Sequence, residues 1–167
     1  GVLSGTTNVS VDTATGVATF SDLSIDKVGA DYTLVAAADG LTSATSDAFD
    51  ITAGAASQLA FTTQPGGGLA GDAWATQPAV TLQDAYGNTV TGTAQTVTLA
   101  ILNNAGGDGV LSGTTNLAVN LATGVATFSG LSIDKVGTGY TLTATGDTVS
   151  TAPGVVANTP VATPSSM

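Results

Sequence analysis

Along much of the chain apolar and polar side chains alternate with a period of two, the spacing that puts successive residues on opposite faces of a β-strand. From Gln95 to Ile101 the alternation is clean: Val97, Leu99 and Ile101 fall on one face, Thr96 and Thr98 on the other. The same pattern predicts strands at Gln58–Thr63, with Leu59 and Phe61 inward, and at Pro78–Asp84, with Val80 and Leu82 inward. Leu117 with Val119, Val125 to Phe128, and Gly139 to Thr145 supply three more. Nearer the N-terminus, Val17, Thr19 and Ser21 alternate with Ala18 and Phe20, and Tyr32 and Leu34 alternate with Thr33 and Val35. Leu41 to Ile51 then reads as a further strand with Phe49 and Ile51 on one face. Turn chemistry separates these runs. Asp39-Gly40, Gln64-Pro65-Gly66-Gly67-Gly68, Asp84-Ala85-Tyr86-Gly87-Asn88 and the Asn103–Gly109 loop carry residues that tolerate tight or left-handed backbone.

The alternating segments recur. Gly109–Asn116 repeats Gly1–Asn8 letter for letter, and GVATFSGLSIDKVGTGYTLTA at Gly124–Ala144 closely copies Gly16–Ala36, at a constant offset of 108 residues. Such a period is the size of a small domain, well beyond the 20–50 residues of solenoid and propeller repeats. Residues 1–53 are accordingly read as the C-terminal half of one repeat, 54–56 as a short linker, 57–152 as a complete repeat and 153–167 as a proline-containing tail or linker. Past Ala152 the duplication fades: Phe49 and Ile51 become Ala157 and Thr159, and Pro153, Pro160 and Pro164 oppose a regular interior strand. About seven short strands in the complete repeat, punctuated by turns, is the pattern of an immunoglobulin-like β-sandwich. The expected architecture is all-β, in tandem, with one complete domain and half of another. Its expected core is Leu59, Phe61, Val80, Leu82, Val97, Leu99, Ile101, Leu117, Val119, Phe128, Leu131, Ile133, Tyr140 and Leu142. The half repeat keeps Phe20, Leu23, Ile25, Tyr32 and Leu34 but lacks any counterpart of Ser57–Asp108, so by itself it exposes an apolar face of a kind soluble monomers rarely carry. Chain ahead of Gly1, or a neighbouring copy adding strands, would close it; the first is preferred.

Composition sharpens the picture. Hydrophobic residues make up 43% of the 167, but aromatics only 5% and charged residues only 8%, against about 25% charged in an ordinary domain. All twelve acidic residues are Asp, the only cations are Lys27 and Lys135, and Glu, Arg and His are missing, for a net charge of −10. Without the usual residues of exposed helices, no α-helix is expected. Nucleic acid and anionic membrane surfaces are excluded as partners, since both need clustered Lys and Arg. No run is long and apolar enough for a membrane span. The lack of Cys removes disulfides and thiol chemistry and leans toward a bacterial or archaeal surface product.

The run Val80-Thr81-Leu82-Gln83-Asp84-Ala85-Tyr86-Gly87-Asn88-Thr89-Val90-Thr91-Gly92 resembles the bacterial Ig-like repeats of the invasin and intimin type, which carry D-x-x-G-N-x-V at a strand end. Lys135-Val136-Gly137-Thr138-Gly139-Tyr140-Thr141-Leu142-Thr143-Ala144 is similar to that family's K-x-G-x-Y-T-V-T-A strand, with Leu142 for Val and one extra residue ahead of the Tyr. The resemblance covers 57–152 and the half repeat. It implies an extracellular, cell-surface location and a structural role as spacer, stalk or fibre building block whose partners are neighbouring repeats. The alternative is an adhesin or polysaccharide-binding module that holds surface glycans through loop residues such as Trp74 and Tyr86.

Candidate chemistry is sparse. Asp84 and Asn88 flank an oxygen-rich turn that could hold Ca²⁺, although the D-x-D-x-D-G pattern of a calcium loop is absent and a structural turn needs the same residues. Lys27 and Lys135 each follow an Asp, which raises an isopeptide bond, yet adjacent residues on a strand point to opposite faces. Trp74 either stacks on a sugar or plugs the end of the sandwich. Asn8-Val9-Ser10 is a glycosylation sequon that Asn116 does not repeat. No base stands beside a nucleophile, so no catalytic residue is assigned and no enzyme activity expected.

Overall fold

A computed structural model describes residues 1–147 and the strand at 156–158. The chain divides into two compact units, Gly1–Ala53 and Gly54–Met167. The described residues are all-β, without a helix.

In the first unit the strands are short: β1 (Leu3–Ser4), β2 (Ser24–Ile25), β3 (Gly29–Tyr32), β4 (Val35–Ala36), β5 (Ala44–Thr45) and β6 (Phe49–Ile51). They join as three separate antiparallel pairs, β1 with β2, β3 with β6 and β4 with β5. A register shift between Gly29 and Tyr32 contains Asp31 at φ 59°, a left-handed conformation that Asp accepts more readily than most residues. Three expectations fail here, the first being the strand over Tyr32–Val35, which stops at Tyr32 and resumes only at Val35. The strand expected across Leu41–Ile51 is broken into β5 and β6, because the Ser46 hydroxyl accepts the Leu34 amide (2.9 Å) and donates to the Asp47 carbonyl (2.8 Å), taking the place of ladder bonds. The strand expected from Val17 to Ser21 is absent, and only an isolated bridge from Asp12 to Val17 forms there.

The second unit holds β7 (Gln58–Thr63), β8 (Ala79–Gln83), β9 (Thr96–Asn103), β10 (Leu111–Ser112), β11 (Asn116–Ala118), β12 (Val125–Thr127), β13 (Ser132–Ile133), β14 (Thr141–Gly146) and β15 (Val156–Asn158). They form a three-stranded sheet β12-β8-β7, a four-stranded sheet β11-β9-β14-β15, and the pair β10-β13, all antiparallel. Leu59, Val80 and Leu82 from the first sheet and Val97, Leu99, Leu142 and Ala144 from the second are buried, an arrangement consistent with a β-sandwich. Phe128 and Leu131, between β12 and β13, complete this core, and Trp74, Ala79, Val90 and Ala126 extend it beyond the expected set. Phe61, Ile101 and Leu117 are only half-buried. Phe61 and Ile101 lie next to register shifts, and Leu117 sits on the outer strand β11. Part of the stretch expected as a tail, Val156–Asn158, pairs with β14 at the sheet edge. The remainder of that tail lies outside the described residues.

The two copies of the repeated sequence build the same local structure. Leu3 faces Ile25 as Leu111 faces Ile133, and the Val2 and Val110 amides each donate to a carboxylate, Asp26 and Asp134, at 2.7 Å. The Tyr32 and Tyr140 hydroxyls reach the carbonyls of Lys27 (3.2 Å) and Lys135 (3.0 Å). Gly5 and Gly113 sit at φ 101° and 99°. The copies part where the second leans on β8 and β9. β12 exists by pairing with β8 through Val125↔Thr81, Ala126↔Val80 and Thr127↔Ala79, and residues 1–53 have no counterpart of β8. That missing partner is why Val17–Ser21, alike in sequence to the β12 segment, forms no strand.

Candidate functional site

Asp84 follows β8, whose alternation carries its carboxyl inward, and it is 3% exposed. One oxygen accepts the amides of Tyr86 and Asn88, both at 2.9 Å; the other accepts the Gly54 amide at 3.0 Å and the Asn88 side-chain amide at 2.9 Å. Burial pushes the carboxyl up, but the four N–H donors from Asn88, Gly54 and Tyr86 outweigh it and hold Asp84 at about 2. The turn closes with the Asp84 amide on the Asn88 carbonyl (2.9 Å) and Gly87 at φ 78°. Asp84 and Asn88, the candidate calcium pair, are therefore brought together, but as a carboxylate ringed by donors. A cation needs the lone pairs those donors occupy. Among the described residues no group of three or more His, Cys, Asp or Glu gathers anywhere.

The other candidates do not converge. Trp74 is 8% exposed, its backbone tied to Leu131 (3.0 Å), and it packs in the interior of its unit. Tyr86, 65% exposed, stands past the opposite end of β8, so the two aromatics do not form one stacking platform. Lys27 and Lys135 are exposed, and the Asp26 and Asp134 carboxylates beside them cap backbone amides. Asn8 is exposed, on a segment without regular structure. Asn116, its counterpart, lies in β11 and donates to the Thr98 hydroxyl at 3.0 Å.

What the structure does assemble is an apolar cleft in the first unit. Leu3, Phe20, Leu23, Leu34, Ala36 and Ala44 line an opening of about 400 Å³. Phe20 is 42% exposed there, and its counterpart Phe128 only 1%. Leu131 and Leu142, the counterparts of Leu23 and Leu34, are fully buried, whereas those two remain half-buried. The cleft is thus lined by positions whose counterparts in the second unit belong to its core. Its existence was legible from the duplicated sequence; the Gly54 to Asp84 bond was not, because an Asx turn fixes its local donors but gives no sign of a distant one. No protein-family model matches the chain, and no curated protein matches it.

Proposed function

We propose that the chain is a stretch of a tandem array of immunoglobulin-like modules in an exported bacterial or archaeal surface protein or extracellular filament, and that the array acts as a spacer, stalk or fibre element. The observation that carries this reading is the rebuilding of one local structure at an offset of 108 residues, down to the Val–Asp, Tyr–Lys and glycine contacts. Copying of a whole module serves length. The strand orders support the immunoglobulin-like assignment: β12-β8-β7 follows the E-B-A order of such sandwiches, and β11-β9-β14-β15 follows C′-C-F-G. A charged fraction of 8%, an interior of small β-compatible side chains and a surface of Thr, Ser, Asn and Gly suit a chemically inert element. An exported setting agrees with the complete absence of Cys from a chain that needs no thiol, and no helix among the described residues is long and apolar enough to cross a membrane.

The test is electron microscopy of the native assembly together with a glycan array. A spacer gives rods that lengthen in proportion to the number of modules and binds no glycan. Binding of a defined saccharide that Tyr86→Ala abolishes would instead favour the adhesin reading, since Tyr86 is the exposed loop aromatic of the second unit.

A further inference from the structure

The cleft of the first unit has a match inside the same molecule that shows what covers such a face. In the second unit the positions equivalent to Leu3, Phe20, Leu23, Leu34 and Ala36 are Leu111, Phe128, Leu131, Leu142 and Ala144. There Phe128, Leu131, Leu142 and Ala144 are buried together with Leu59 of β7, Val80 and Leu82 of β8 and Val97 and Leu99 of β9, with β8 pairing β12 in one sheet and β9 pairing β14 in the other. We propose that the cleft of residues 1–53 is the docking site for a polypeptide segment patterned like residues 57–108, carried in the same chain ahead of Gly1. This inference does not depend on the array being a stalk.

Three observations support that occupant. The receiving half is preorganised: its Val2–Asp26 and Tyr32–Lys27 bonds and the Gly5 backbone already have the geometry seen in the covered copy, so docking requires little rearrangement of these contacts. The cleft is also short of hydrogen-bonding partners in one particular place. The segment around Val17–Thr19 matches the strand that in the covered copy pairs with β8, and here it has no ladder. Docking supplies both the apolar lid and the missing strand, with a fixed register. Val17, Ala18 and Thr19 should oppose the newcomer's counterparts of Thr81, Val80 and Ala79, and Leu34 and Ala36 its counterparts of Ile101 and Leu99. Finally, a folded second copy has no such segment to lend. Its Leu82 and Val97 are already fully buried against its own residues, so a free segment in the same chain, at high effective concentration, is the occupant the geometry favours. The loop that would join it is present in the second unit, where the Asn104 side chain bridges the Gly109 amide (3.2 Å) and carbonyl (2.7 Å).

The experiment compares the chain 1–167 with an extended chain in which a copy of residues 57–108 is placed directly ahead of Gly1, using amide hydrogen exchange resolved to segments. In 1–167 the amides of Val17–Thr19, which form no ladder, should exchange at nearly the rate of unstructured chain. In the extended chain they should slow by about a hundredfold or more, the scale set by the opening of a closed small domain. An extended chain whose added segment carries aspartate at its counterparts of Leu82 and Leu99 should show no slowing, while the exchange of residues 109–147 stays the same in all three. The proposal is overturned if those amides are already protected in monomeric 1–167, if the extension leaves them unprotected, or if the charged segment protects them equally. It is also overturned if 1–167 dimerises with its cleft protected, since the occupant would then be a second copy. None of these outcomes bears on rod length or glycan binding.

Discussion

Asp84 keeps its charge in the interior only because four N–H groups point at it, so its contribution to stability depends on pH. Its folded pKa, about 2, lies below the ordinary 3.8. The ionised form therefore stabilises the fold; the contribution is complete above the unfolded value and is lost as pH falls through the folded one. Acid titration of the second unit should show a loss of stability between pH about 4 and about 2. Asp84→Asn should remove that step and also lower Tm at neutral pH, because its amide N–H₂ must face donors where a carboxylate oxygen accepted them. An acid profile unchanged by Asp84→Asn would contradict the assignment. Gly113 gives a second test. At φ 99° an added Cβ would come within van der Waals overlap of the Gly130 carbonyl, so Gly113→Ala should cost about 2 kcal/mol or more, read by denaturant unfolding.

At the level of strands, the two copies show that an alternating sequence is necessary and not sufficient. Val17–Ser21 and the β12 segment read alike, and the alternation correctly located β7, β8, β9, β12 and β14 to within a residue or two. It misplaced the strand at 17–21 because a strand is completed by its neighbour, which a local pattern does not record. The pair β10-β13 escaped notice for a different reason: two residues are too few to show a period. Val90 joined the core from a loop, where no periodicity applies, whereas Trp74 is buried as the plug reading expected. The twin phenylalanines turn this dependence on a partner into a measurement. Phe128→Ala should destabilise the second unit by about 3–5 kcal/mol. Phe20→Ala, at a position 42% exposed, should cost less than about 1 kcal/mol in the same chain. Equal costs would mean that Phe20 is buried in solution.

For the molecule as a whole, the difference between a covered and an uncovered sheet face should appear as a difference in cooperativity. The second unit buries a continuous interior and should unfold in one sharp calorimetric transition. The first unit, three separate strand pairs around an open cleft, should add no sharp transition of its own. Phe128→Asp should abolish the transition and Phe20→Asp leave it in place; a second sharp peak sensitive to Phe20→Asp would refute the description of an open half. The duplication, with its constant offset of 108 residues, was readable from the sequence, and so was the shortage of charge. Which turn would fasten the start of the second unit was not, since that rests on a contact between residues thirty apart in sequence, Gly54 and Asp84.

That contact decides how tension would enter the fold. A pull on the backbone at Gly54 is taken first by its bond to Asp84 and by the Ser57 amide on the Gln83 carbonyl at 2.9 Å. Because the same carboxylate also grips Tyr86 and Asn88, the load spreads into the far end of β8 instead of stripping β7 from its edge one bond at a time. The turn works as a cleat, and acid, by protonating one side chain, would let the rope slip.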